Sequence, residues 1–323
     1  MFTRPELDAA SSLIHAALSP TPQIDWPLLA GRTGAQVWVK HENYLPTGAF
    51  KVRGGLVFMD QLRRTQPGAA GVISATRGNH GQSLAFAGRR AGMPVTIVVP
   101  HGNSREKNAA IQGYGARLIE HGADFDEARA HAATLGAEQD LVFAPSFHPA
   151  LVTGVATWPL ELFTAVPALD TVYVPIGLGS GICGAILVRD MLGLQTEIVG
   201  VQSTGAAAYA RSFEAGRVVE LNRADTHADG IATRVPDPAA LAIIMAGAAR
   251  IVTVTDNEVA AAIRAYWTDT HNLAEGAGAA ALAGLMQERD RMAGRCVGLP
   301  LCGGNIDLAL FRSWVLGAEP WQE

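Results

Sequence analysis

The chain has 323 residues, 49% hydrophobic and 17% charged, with a net charge of −5 and a pI near 6.0. Such a chain buries a sizeable core and offers no electrostatic case for nucleic acid or an anionic membrane as partner. No apolar run is long enough for a membrane span and the first twenty residues lack a signal-type apolar stretch, so the chain reads as a mature protein. Cys183, Cys296 and Cys302 fit neither a disulfide framework nor a metal motif, so a reducing cytoplasm is expected, with the first two cysteines acting as small hydrophobes.

The first strand signal is "AQVWVK" (35–40), followed by "HENYLPTGAFKVRGG" (41–55), which combines turn residues, an aromatic and a lysine. "GVISA" (71–75) reads as a strand leading through "TRGNHGQ" (76–82) into the helical "GQSLAFAGRRAG" (81–92), and "VTIVVP" (95–100) as the next strand. "TVYVPI" (171–176) runs into "GLGSG" (177–181) at the head of another helix. "EIVGVQ" (197–202) and "IVTVT" (251–255) are strands, and "NEVAAAIRAYWTDT" (257–270) and "AGAAALAGLMQER" (277–289) are helices. "CVGLPL" (296–301) is a last strand, followed by "CGGN" (302–305) and a helix opening near Asp307. Continuous Val/Ile-rich runs are strands buried on both faces; alternating with helices, they give the pattern of a parallel α/β sheet. There is no short-period repeat, low-complexity segment or flexible linker, and the pattern uses the whole chain, leaving nothing for an appended regulatory module.

The chemistry-bearing residues follow strands, where open α/β sheets place ligands. "GLGSG" has the glycines that let backbone N–H groups approach an anion at a helix N-terminus, and equally those of a tight strand-to-helix turn. It is no Walker loop, since no Gly-Lys-Ser/Thr follows, and it lacks the acid of a dinucleotide fingerprint. Taken singly, Asn79 reads as a helix cap, His80 as a packing residue, Glu275 as a solvated charge and Lys51 as a surface lysine.

Taken together, "PTGAFKVRGG", "GNHGQS", the glycine loop after "VPIG", "EGAGAAAL" and "CGGNID" occur in an order that resembles the fold-type II pyridoxal-phosphate enzymes, closest to the threonine/serine dehydratase branch with its serine racemases and hydroxy-amino-acid ammonia-lyases. The resemblance implies a fold like that of the tryptophan synthase β chain, with two α/β domains, each a mainly parallel sheet flanked by helices. A large domain would take residues 1–70 and 148–323 and a small inserted domain 71–147, with pyridoxal 5′-phosphate in the cleft between them. It also implies a homodimer acting on a small amino acid.

Residue by residue, the resemblance implies Lys51 as the Schiff-base lysine and general base, and Phe50 as the aromatic against the cofactor ring. Asn79 matches the partner of the cofactor's hydroxyl, and Gly177, Leu178, Gly179, Ser180 and Gly181 match the phosphate loop. Thr76, Arg77, Gly78, Asn79 and His80 match the segment that takes the substrate carboxylate. Glu275 and Gly230 match positions lining the site. Cys302 stands where relatives place a serine at the pyridine nitrogen, and a neutral partner there leaves that nitrogen largely unprotonated. Arg77 stands where racemases carry a serine that works the second face of Cα; a guanidinium stays protonated, which disfavours racemisation. Gln202 and Ala208 occupy the places of the acids that hold a divalent cation in some relatives, so no metal is expected.

The expected reaction is α,β-elimination of water from an L-β-hydroxy-α-amino acid to give a 2-oxo acid and ammonia. Threonine and serine are the default substrates; a bulkier threo-3-hydroxy acid such as 3-phenylserine or 3-hydroxyaspartate is the other option, favoured by Arg77, Cys302 and "SFHPALV" (146–152). The alternatives are a racemase of the serine-racemase kind and a β-replacement enzyme of the cysteine-synthase kind. Arg53 and Gly54 after the lysine speak against the latter.

Overall fold

A computed structural model describes residues 1–317. The chain divides into two compact units, residues 1–19 with 45–155 and residues 20–44 with 156–323. The boundary at 70/71 expected from the sequence falls inside the first unit, where the helix opened by Lys51 packs against three helices of that unit.

Among the described residues ten strands form in chain order: β1 (Gln23–Asp25), β2 (Gln36–Lys40), β3 (Val72–Ala75), β4 (Val95–Val99), β5 (Arg117–Glu120), β6 (Val142–Phe143), β7 (Thr171–Pro175), β8 (Glu197–Ser203), β9 (Arg250–Val254) and β10 (Cys296–Pro300). The helices that matter for the site are α1 (Arg4–His15), α2 (Pro27–Thr33), α3 (Lys51–Thr65), α4 (Asn79–Ala91), α5 (Arg105–Gly113), α6 (Phe125–Glu138), α7 (Pro149–Val155), α8 (Thr157–Ala165), α9 (Ser180–Met191), α10 (Ala208–Ala215), α11 (Pro238–Gly247), α12 (Asp256–Thr270) and α13 (Gly276–Gln287).

In the first unit the sheet order is β5-β4-β3-β6 and every pairing is parallel. The central strands β3 and β4 are buried at every residue, which is why they read as unbroken apolar runs. Leu56, Phe58, Met59 and Leu62 of α3 join Leu84 and Ala85 of α4 and Leu151 beside them in one apolar core. On the far side of the sheet, Ile73, Ala75 and Val98 meet Ala128 and Ala132 of α6.

In the second unit the order is β1-β2-β10-β7-β8-β9. Only β1 runs antiparallel, pairing Ile24 with Val39. The inner strands align Val37 with Val297 and Val39 with Leu299, so the branched side chains stack in rows. The strand order reverses direction around β10 and β7, where the chain-terminal strand sits between the earliest and the middle strands. The β7 and β10 ends carry "GLGSG" and "CGGN", as the strand-end rule requires.

Seven strands lie where the sequence places them. The three it does not reveal, β1, β5 and β6, are all edge strands. An edge strand has fewer buried faces, so its sequence need not be a continuous apolar run; β5 reads Arg-Leu-Ile-Glu with both ends exposed.

Candidate active site

In the first unit, Lys51 is the first residue of α3, with its ammonium 5.2 Å from the centroid of the Phe50 ring. Both residues are half-buried. The helix is fixed by backbone-to-backbone approach on two sides. A Cβ at Gly55 would lie 2.8 Å from the Ser83 carbonyl oxygen and closer still to the Ser83 hydroxyl. A Cβ at Gly54 would lie 2.8 Å from the Leu151 carbonyl oxygen, and one at Gly154 would overlap the Arg53 carbonyl. The two glycines of "KVRGG" therefore seat α3 against α4 and α7. The Ser83 hydroxyl completes the joint by donating to the Lys51 carbonyl oxygen at 2.6 Å.

The loop 76–80 opens α4. The Thr76 N–H donates to Val98 O at the end of β4, which ties the loop to the sheet. The Thr76 hydroxyl accepts the Gly78 N–H at 3.1 Å. Asn79 is half-buried at the first helical position, and His80 is buried behind it. One His80 nitrogen meets the Ala144 carbonyl, whereas Nε2 has no hydrogen-bond partner. Burial, reinforced by the Lys51 charge, pushes the imidazole down to about 3, so it is neutral at physiological pH. Arg77 is exposed and makes no hydrogen bond or ion pair with another described residue.

In the second unit, the loop 177–181 leads into α9. Gly179 is its N-cap at φ +101°, a left-handed conformation that favours glycine. The Cys183 N–H donates to Gly179 O, so the N–H groups at the head of α9 precede the intrahelical ladder and suit an anion. Tyr209 of α10 steadies this loop. Its fully buried hydroxyl donates to Leu178 O at 3.0 Å and accepts the Asp237 N–H at 3.0 Å.

Three other segments close on that loop through glycine. A Cβ at Gly177 would stand 2.5 Å from Gly230 O, and one at Gly230 would stand 2.7 Å from the Ala277 Cβ. A Cβ at Gly276 would stand 2.7 Å from the Ala228 Cα, and one at Gly278 would overlap Gly303 O. Glu275, which reads as a solvated charge when taken singly, is instead buried as the N-cap of α13, and its N–H donates to Gly303 O at 3.1 Å. Cys302 is buried, and its thiol donates to Ala277 O at 3.5 Å. The structure thus gathers 177–181, 228–231, 275–278 and 302–304 within one unit, and Lys51, Phe50 and 76–80 within the other.

Cys183 is a buried hydrophobe as expected, its thiol pushed up to about 12 by burial. Cys296 is only half-buried, because it opens β10 at the rim of the sheet. Gln202, buried at the end of β8, accepts the Ala210 N–H at 2.9 Å, so its amide clips α10 to the strand. Among the described residues no group of three His, Cys, Asp or Glu side chains is placed to hold a metal ion. No helix of the described residues is long and apolar enough to cross a membrane.

The sequence reading singled out neither Tyr209 nor Ser83. Tyr209 lies thirty-one positions from the carbonyl it serves, and no spacing rule links the two. The paired glycines 54 and 55 in the first turn of a helix were a usable signal for close packing.

The parallel sheets, with glycine loops at their strand ends, have the architecture of fold-type II pyridoxal-phosphate enzymes. The family model described as pyridoxal-phosphate dependent enzyme matches residues 14–303, and the chain belongs to that family. It is 31% identical over 306 residues to a biosynthetic L-threonine dehydratase of Pasteurella multocida, covering 94% of this chain and 59% of the relative. It is 30% identical over 311 residues to an L-threo-3-hydroxyaspartate ammonia-lyase of Saccharomyces cerevisiae, covering 96% and 95%. The maize serine racemase structure superposes with a TM-score of 0.90 at 25% identity, over 96% of this chain and 95% of that one. The chain thus spans 59% of the length of the Pasteurella threonine dehydratase.

The residues present fit the family's cofactor. In the second unit the glycine cradle at 177–181 leaves backbone donors for a phosphate; in the first, Lys51 offers a primary amine for an aldehyde, and the Nε2 of His80 is a buried polar atom without a hydrogen-bond partner.

Proposed function

We propose that the protein is a pyridoxal-phosphate-dependent ammonia-lyase that converts an L-β-hydroxy-α-amino acid, of the threonine/serine type or a bulkier threo-3-hydroxy acid, into a 2-oxo acid and ammonia. Bound, the cofactor supplies an electron sink for negative charge developing at Cα. The chain's residues do the rest. Lys51 would hold the cofactor through its amine, and the same amine would serve as the base that takes the Cα proton. Phe50 would lie against the ring, and Asn79 would hydrogen-bond its hydroxyl. The N–H groups of 177–181 would hold the phosphate, with Glu275 and Gly230 at the edge of the site and Cys302 as a neutral partner for the ring nitrogen. The residues Thr76 to His80 hold the substrate carboxylate, with helix dipole and backbone donors favouring an anion there. Loss of the Cα proton and of the β-hydroxyl releases water; the resulting enamine takes water back on hydrolysis to the 2-oxo acid and ammonia.

The observation that carries this reading is the bond from Ser83 to the Lys51 carbonyl, which ties the backbone of Lys51 to α4, the helix that the loop 76–80 opens. Deprotonation from the lysine face needs nothing more. Reprotonation from the opposite face, as in a racemase, needs a second acid, and Arg77 is a guanidinium exposed to solvent. With three free cysteines and a small-molecule chemistry, a cytoplasmic homodimer is the setting we assign.

The test is a panel of β-hydroxy amino acids assayed for 2-oxo acid release, with chiral chromatography of the remaining substrate. One or more of the panel is expected to yield 2-oxo acid without net inversion, and Lys51→Ala to abolish release. Inversion without ammonia, or undiminished release by Lys51→Ala, would overturn the proposal.

A further inference from the structure

His80 has a fixed tautomer and an open acceptor. Nε2 is buried without a partner, so the nitrogen that meets the Ala144 carbonyl is Nδ1, and it must carry the hydrogen because a carbonyl only accepts. The Ala144 oxygen is itself anchored, accepting the Ser74 hydroxyl at 2.7 Å, so the imidazole is oriented from behind by the sheet. Its bare lone pair on Nε2 therefore points away from β3.

The helix sets the direction. Residues 80 and 83 lie three apart on α4 and share a face. Ser83 touches the Lys51 carbonyl, so that face is turned toward the start of α3. The Lys51 charge is accordingly felt at the imidazole. A buried acceptor that finds no protein donor is disfavoured unless a ligand supplies one.

On the lyase reading above, the substrate brings three polar groups to this place. The α-carboxylate has only acceptors, and opposite a lone pair it would be repelled, so it turns to the N–H groups of 76–80. The α-amine is committed to the cofactor. The β-hydroxyl is the one donor left. The geometry points to His80 as a specificity-determining residue, whose Nε2 accepts the hydrogen of the substrate β-hydroxyl and so selects amino acids that carry a donor on Cβ.

The test compares L-serine with β-chloro-L-alanine, which has nearly the same shape but no donor on Cβ. Both give pyruvate and ammonia: serine loses and regains water, whereas the chloro compound consumes one water and releases hydrogen chloride. His80→Phe is expected to lower the ratio of kcat/KM for serine over chloroalanine by about 10- to 100-fold, the range for removing one side of a buried hydrogen bond. His80→Gln, which keeps an acceptor, is expected to recover much of it. The same ratio in all three proteins overturns the assignment; no 2-oxo acid from serine, from chloroalanine or from any other member of the β-hydroxy amino acid panel with the unaltered protein overturns the lyase reading itself. Nitrogen-15 histidine NMR of the unaltered protein needs no turnover and no variant. It is expected to show His80 neutral with hydrogen on Nδ1 between pH 5 and 8, and a hydrogen on Nε2 in that range would overturn the assignment whatever the rates.

Discussion

Gly55→Ala is the sharpest perturbation of the site's frame. The new Cβ would sit 2.8 Å from the Ser83 carbonyl oxygen, about 0.6 Å inside the 3.4 Å at which ordinary contact begins, and it would also overlap the Ser83 hydroxyl. Backbone cannot rotate out of the way, so α3 and α4 must separate. Overpacking of this kind costs about 1–3 kcal/mol. Separation also strains the Ser83 bond to Lys51, a net loss of about 1 kcal/mol. The expected destabilisation is on the order of 2–4 kcal/mol, read as a lower urea midpoint with the slope unchanged. Adding Ser83→Ala removes the hydroxyl overlap but leaves the carbonyl one, so the double variant should recover only part of the loss. A Gly55→Ala protein as stable as its parent would show that the helices are not held at backbone contact, and the account of Lys51's fixed position would fall with it.

Tyr209→Phe removes both bonds that steady the loop 177–181 and, on the proposed role of that loop in holding the phosphate, should weaken pyridoxal 5′-phosphate binding by about 5- to 30-fold, measured by fluorescence titration of cofactor-free protein. Unchanged affinity would refute the loop-steadying role. Cys302→Ser substitutes one small donor for another toward Ala277 O and should keep the cofactor spectrum and activity; complete loss in a folded, cofactor-loaded variant would refute the neutral-partner role. The Arg32 fork on Asp269, at 2.6 and 2.9 Å, holds that carboxyl below its ordinary value. Because the folded value is depressed, the pair contributes stability above about pH 4, and that stability is lost as pH falls through the folded value. Asp269→Asn should therefore be less stable than the parent at pH 6 and show a shallower acid decline, and parallel acid curves would refute the assignment.

The order of glycine loops made the family legible before any coordinates, because those loops must sit at strand ends and strand ends are marked by Val/Ile runs. What spacing could not show is how loops from distant parts of the chain meet. Gly177 and Gly230, or Gly278 and Gly303, touch through bare backbone, and an absent side chain leaves no hydrophobic pattern to read. Glu275 shows the same limit from the other side. A carboxylate before an alanine-rich helix reads as solvated, yet the tertiary fold buries it over the end of β10. The His80 tautomer was hidden for a different reason: it depends on Ala144, sixty-four residues away on the next segment of the sheet.

The edge strand β5 has a consequence for how the protein behaves at high concentration. Its Leu118 and Ile119 lie between Arg117 and Glu120, which are both exposed. An open strand edge can template pairing with a second copy, and flanking charges of this kind oppose it because docking would strip their water. Replacing both with valine would leave the catalytic residues untouched and turn the segment into four consecutive branched or aliphatic residues, so such a protein should keep its activity in dilute solution yet form β-rich aggregates on concentration.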